Sequence, residues 1–361
     1  MPSTDHPGAA VAPAVVPPRG PLLAAGESAR TVRLPGLGLV VRSRTDGEGS
    51  ADGARADGGD REPALFVHGL GGSSQNWSQL MALLGDRLAG EALDLPGFGH
   101  SPPPDDGDYS VSGHARAVVR LLEADRRGPV HLFGNSLGGT IAVRVAAARP
   151  DLVRTLTLVS PALPEVPPQF TAWPTALTSV PGMVGLYSRL TRDWTPERRT
   201  DALLGLCYGD PSAVAPRTRE AAAAEYRRRL ELPYFWDVMV RSTRGIVDAY
   251  TLGGQHALWR QAERVLAPTL LVYGGRDKLV AVKMARRAAR AFRDRRLLII
   301  PDSGHVAMME HPLLVDRAVR DLLDEVGGRG DAVRDSVRTR STRAGSAGTE
   351  TGPTTAEATG S

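Results

Sequence analysis

Eight short runs rich in Val, Leu and Ile recur along the chain, and most are separated by stretches long enough for one helix. That alternation permits few folds, because strands joined through helices run parallel and a parallel sheet needs helices on both faces. The runs are Thr31–Leu34, Leu39–Arg44, Ala64–His68, Glu91–Leu95, Val130–Phe133, Thr155–Val159, Thr269–Tyr273 and Leu297–Ile300. Helical spacing fits Gln79–Leu88, Val111–Asp125, Leu137–Ala148, Val282–Phe292 and Leu313–Glu325. Thr269–Tyr273 and Leu297–Ile300 are almost continuously apolar, which predicts strands buried on both faces.

The alternation stops between residues 161 and 265. No run there reads as a strand, yet the segment holds 11 of the 18 aromatics, Trp173, Trp194, Trp236 and Trp259 among them. An inserted helical domain explains both facts, and divides the chain into a core (30–160 and 266–326) and a helical insert (161–265). Residues 1–29 carry Pro2, Pro7, Pro13, Pro17, Pro18 and Pro21 and are expected to be disordered. The Gly-, Ser- and Thr-rich stretch 327–361 is expected to be a disordered tail, and Asp46–Asp60, with its five glycines, an exposed connection.

Composition narrows the function classes. Of 44 cationic side chains only Lys278 and Lys283 are lysine, and the arginines are scattered among 40 carboxylates, so no nucleic-acid footprint is concentrated anywhere. No run reaches the ~18 apolar residues of a membrane span. The start lacks the basic residues and unbroken apolar stretch of a secretory signal, so a cytoplasmic location is expected. The single cysteine, Cys207, excludes an internal disulfide and is read as packing, and no Cys/His cluster has zinc spacing.

The most informative residues are Gly134-Asn135-Ser136-Leu137-Gly138-Gly139, between the run Val130–Phe133 and the helix Leu137–Ala148. In so tight a strand-to-helix turn a serine is forced into strained backbone angles, and small neighbours are required where strand and helix approach. The hydroxyl is pushed out of the sheet, and the N–H of Leu137, in the first helical turn, is placed to donate to a developing oxyanion.

With this turn the chain resembles the α/β-hydrolase superfamily, in its serine-nucleophile branch. Three further motifs extend the resemblance over roughly 31–326. His68-Gly69-Leu70-Gly71-Gly72 stands where the family has an oxyanion loop, which implies the N–H of Leu70 as second donor. Asp94-Leu95-Pro96-Gly97-Phe98-Gly99-His100-Ser101 is similar to the loop that follows the next strand. Gly274-Gly275-Arg276-Asp277 and Ser303-Gly304-His305 resemble the loops that carry the acid and the base, in the family's order Ser, Asp, His. The fold expected is a mostly parallel eight-stranded sheet flanked by helices, with the insert as a cap.

Serine is a poor nucleophile at neutral pH and needs an imidazole to take its proton. Of eight histidines, His305 lies in a glycine-bounded loop after a late strand and is the candidate. Asp277, just beyond Thr269–Tyr273, is the candidate for holding its tautomer, with Asp302 and Asp248 as rivals. Serine at position 136 removes the dehalogenase and epoxide-hydrolase chemistries, which use aspartate there. The resulting expectation is a serine hydrolase of carboxylic esters with small to medium apolar acyl groups, Trp173, Trp194 and Trp236 lining the acyl pocket. Its partner would be a small-molecule ester, and no metal or organic cofactor is implied. Hydrolysis of carbon–carbon bonds, perhydrolysis on the same triad and a ligand-binding receptor with little turnover stay open as alternatives. The letters do not give the oligomeric state.

Overall fold

The strands of the computed structural model are β1 (Glu27–Leu34), β2 (Leu37–Arg44), β3 (Glu62–Val67), β4 (Leu88–Asp94), β5 (Val130–Asn135), β6 (Val153–Val159), β7 (Thr269–Gly274) and β8 (Arg295–Ile300). The structure describes residues 26–44 and 61–328, apart from 166, 168, 173–176, 178–179, 181, 252 and 254–255. All eight strands join one sheet in the order β1-β2-β4-β3-β5-β6-β7-β8. β2 is antiparallel to both its neighbours, and the pairs from β4 to β8 are parallel.

Helices follow the strands as the alternation requires: α1 (Ser78–Leu83), α2 (Val111–Asp125) and α3 (Leu137–Ala148) come before β6. Between β6 and β7 the described residues form no strand but the helices α4 (Met183–Leu190), α5 (Pro196–Cys207), α6 (Pro216–Leu230), α7 (Phe235–Thr251) and α8 (Leu258–Arg264). After β7 come α9 (Met284–Ala291), α10 (Ala307–Glu310) and α11 at 312–328. Among the described residues no helix is long and apolar enough to cross a membrane.

Two apolar layers sandwich the sheet. One joins Leu65, Leu93 and Leu132 to Leu121, Ile141 and Val145 on α2 and α3. The other joins Phe66, Phe133 and Trp77 to Val315, Val319 and Leu322 on α11. Trp77 is fully buried, and Phe66 stacks on Phe133 with ring centroids 4.2 Å apart.

Three expectations change. The helix expected over Gln79–Leu88 stops at Leu83, because Gly85 falls in a 3-10 turn (Leu84–Asp86) and Leu88 opens β4. β1 begins at Glu27, inside the stretch assigned to a disordered start, and residues 327 and 328 continue α11. Leu297–Ile300 is not buried on both faces: at the sheet edge Ile300 and Leu298 pack on the α11 side, while the opposite face is incompletely covered and leaves Leu297 and Ile299 39% and 42% exposed. The expected connection at 46–60 lies outside the described residues.

Candidate active site

Ser136 follows β5 and caps α3 with φ 52° and ψ −118°, a conformation that L-residues adopt only under strain. The turn is that tight because backbone packs on backbone. A Cβ at Gly134 would overlap the Gly138 carbonyl, and one at Gly138 would overlap the carbonyls of Val67 and His68 on the neighbouring strand. Ser136 N–H donates to the Val159 carbonyl at 3.1 Å, and its own carbonyl accepts from Ala162 N–H at 3.1 Å. The serine turn is thus tied to the exit of β6.

Asp277 and His305 come together as expected. His305 Nδ1 lies 2.9 Å from Asp277 Oδ2 and 3.1 Å from Oδ1, and both residues are buried. Oδ1 also accepts the N–H groups of Leu279 at 2.8 Å and Val280 at 3.0 Å. Burial pushes the Asp277 carboxyl up, but the His305 charge, the hydrogen bond to it and the Val280 N–H outweigh burial and hold it below the ordinary aspartate value. An ionised carboxylate on Nδ1 keeps the proton there and leaves Nε2 as the basic nitrogen. The rivals are elsewhere: Asp302 is 60% exposed beside His311, and Asp248 is exposed on α7.

Asn135, beside Ser136, was missed by sequence reasoning. Its Nδ2 donates to the carbonyls of Val159 (3.0 Å) and His305 (3.1 Å), so one buried amide joins the serine turn to the histidine loop. The histidine loop is held from its other side by the insert. His305 N–H donates to the Cys207 carbonyl at 2.7 Å, and a Cβ on either Gly209 or Gly304 would overlap the other's backbone. Burial pushes the Cys207 thiol up to about 12, so it stays a neutral packing group.

The loop after β3 lies against the serine. A Cβ on Gly69 would stand 3.1 Å from that of Ser136. Gly72 N–H closes a turn on the Gly69 carbonyl at 3.0 Å, with Gly71 at φ 67°, and the turn bond does not use the Leu70 N–H. Beneath it, His68 Nδ1 meets the Gly69 carbonyl at 2.7 Å while Nε2 accepts Leu95 N–H at 3.0 Å. Burial pulls His68 down to about 4, which keeps the ring neutral and able to serve both partners. In the next loop Asp94 accepts Ser74 N–H (2.7 Å) and His100 N–H (2.9 Å). Burial raises that carboxyl, and His100, His68 and the Ser74 N–H together bring it down to about 2.

From the insert, Met239 Cε stands 3.4 Å from where a Gly71 Cβ would be, and Val238 packs on Gly97. Neither residue was singled out, because an apolar pair in a helix carries no signal of what it faces. Of the expected pocket tryptophans, Trp173 lies outside the described residues. Trp194 is half-buried with the Arg198 guanidinium 4.5 Å over its ring, and Trp236 is half-buried against Phe235, ring centroids 5.0 Å apart. Trp236 sits one helical turn before Met239 on α7.

Residues 63–312 match the family described as alpha/beta hydrolase fold. An esterase of Mycobacterium tuberculosis is 30% identical over 274 residues, covering 74% of this chain and 84% of its own. The 2-hydroxy-6-oxo-6-(2'-aminophenyl)hexa-2,4-dienoic acid hydrolase of Metapseudomonas resinovorans is 26% identical over 262 residues, covering 71% of this chain and 82% of its own. Among solved structures, a meta-cleavage product hydrolase of Pseudomonas fluorescens superposes with a TM-score of 0.64 at 19% identity, over 82% of this chain and 97% of that one, a likeness of fold. With a family match over more than half its length and hydrolases among its relatives, the chain belongs to the α/β-hydrolase family and is a hydrolase.

Proposed function

We propose that the chain is a serine esterase that cleaves carboxylic esters of small to medium apolar acyl groups through a seryl acyl-enzyme. The observation that carries this reading is the Asn135 amide, which holds the His305 loop against a strained Ser136 while Asp277 orients the ring. Ser136 Oγ attacks the ester carbonyl carbon and its proton passes to His305 Nε2. The Leu70 and Leu137 N–H groups receive the negative charge on the carbonyl oxygen. The tetrahedral adduct then expels the alcohol, which takes the proton from His305, and water repeats the sequence on the acyl-enzyme. The helices of the insert act as a cap, with Met239 and Trp236 on one face of α7 as its apolar lining.

Ser136→Ala should abolish labelling by a fluorophosphonate and lower kcat by about 10⁴–10⁶, and Asp277→Asn should cost about 10⁴. Labelling that persists at another serine, or an Asp302→Asn variant with the larger loss, would overturn the assignment. A series of acyl esters from acetyl to dodecanoyl should show kcat/KM rising with length and then stopping. Truncating Trp236 should move the cutoff more than it changes acetyl turnover. A flat series alongside turnover of a vinylogous ring-fission diketone would replace ester hydrolysis by carbon–carbon hydrolysis.

A further inference from the structure

The inserted helix α6 carries a buried charge cluster that sequence reasoning did not single out. Glu225 is 6% exposed and accepts from two arginines of its own helix: Arg228 at 2.7 and 2.8 Å, and Arg229 at 2.9 Å. Neither arginine ends there. Arg229 Nη1 donates to the carbonyl of Gly71 in the loop after β3, and Arg228 Nη2 donates to the carbonyl of Gly99 in the loop after β4 at 2.8 Å. Both guanidinium groups are mostly buried, 18% and 15% exposed, so a change to either end leaves a polar group out of water. One helix of the insert therefore grips two loops of the core at once.

The Gly71 contact matters because of where it falls. Gly71 is the left-handed residue of the turn that presents the Leu70 N–H, and a glycine there gives the turn freedom that a side chain would remove. From below the loop is fixed by the neutral His68 ring on the Gly69 carbonyl, and from above by Arg229 on the Gly71 carbonyl. Catalytic donors lose most of their value when they must reorganise during the reaction.

We propose that Glu225, Arg228 and Arg229 form a latch through which the seated insert sets the oxyanion loop, making Arg229 a positioning residue for the Leu70 N–H. This rests on the esterase reading only for its catalytic consequence; the mechanical part stands on the loop itself. A guanidinium suits the task because one planar group spans the Glu225 carboxylate through Nε and the Gly71 carbonyl through Nη1.

The test compares the full-length chain with Arg229→Ala, Glu225→Gln and a control, Arg227→Ala. Arg227 sits on the same helix but faces solvent, paired with Glu197. Hydrogen exchange in the 69–74 segment should accelerate at least about tenfold in Arg229→Ala and Glu225→Gln, and not in the control, with exchange in β5 and β7 unchanged. On a short-chain ester, kcat should fall about ten- to a hundredfold with KM within about threefold, less than deletion of an oxyanion donor would cost. Unchanged exchange in the 69–74 segment, or equal acceleration in the control, would overturn the latch whatever the activity. Accelerated exchange with full kcat would overturn the positioning role. A wild-type chain that takes no fluorophosphonate and cleaves no ester would sink the esterase reading, while the exchange result would still decide the latch.

Discussion

The serine turn and helix α6 of the insert are held to the same core by opposite means. At the turn, backbone meets backbone: Gly134, Gly138 and Gly139 lie where a Cβ would overlap a carbonyl, a peptide carbon or Pro161. The α6 insert instead reaches the core with long side chains, two arginines ending on the carbonyls of Gly71 and Gly99. Backbone contact fixes position tightly and tolerates no addition. A side-chain contact can release and reform without a change in the backbone it holds.

Acid should expose the contrast most strongly. His68, His114 and His131 all belong to the core, and burial holds them at about 4, 3 and 4. Below about pH 6.5 the unfolded chain protonates these rings while the folded one does not, so stability falls with pH until the folded values are reached. The slope is at most about 1.4 kcal/mol per pH unit for each ring, and urea unfolding from pH 7 to pH 4 should lose several kcal/mol. A stability that stays flat between pH 6.5 and pH 5 would mean that the rings are not sealed in.

Gly138→Ala should cost about 3 kcal/mol, since either α3 or β3 must shift, and turnover should fall with it because Ser136 rides on the same turn. Equal expression and melting temperature to wild type would show that the backbones are not as close as described. Gly205→Ala, on α5 of the insert, should do the reverse. A Cβ there meets nothing within 4 Å, and alanine in a helix gains about 0.5–1 kcal/mol over glycine. A loss at Gly205 would mean that α5 is crowded at that position as the serine turn is.

The same contrast governs what could be read from the letters. Backbone crowding leaves glycines at fixed spacing, so the strained turn at Ser136, the meeting of Asp277 with His305 and the placing of the Gly69-Leu70 loop beside Ser136 were legible as geometry. Asn135 was not, because an amide next to a serine gives no hint that its partner is a carbonyl 170 residues later. The spacing of Glu225, Arg228 and Arg229 is that of an ordinary surface ion pair, and only the tertiary fold shows the two carbonyls beyond it. Leu297–Ile300 reads like Thr269–Tyr273 because a run of letters records hydrophobicity and not strand order, which alone makes β8 an edge.

The close fit of Gly209 to Gly304 bears on how such a hydrolase can be re-engineered or diversified. The end of α5 leans on the histidine loop without room for a methyl group, so part of the seat of His305 is encoded in the inserted segment. A graft of foreign helices that replaced 161–265 whole would carry a new pocket and a displaced imidazole together. Crossovers placed after Gly209 would keep that seat yet still exchange Glu225, Arg228 and Arg229 on α6, so a graft that spares the Gly71 and Gly99 contacts has to carry those three residues over.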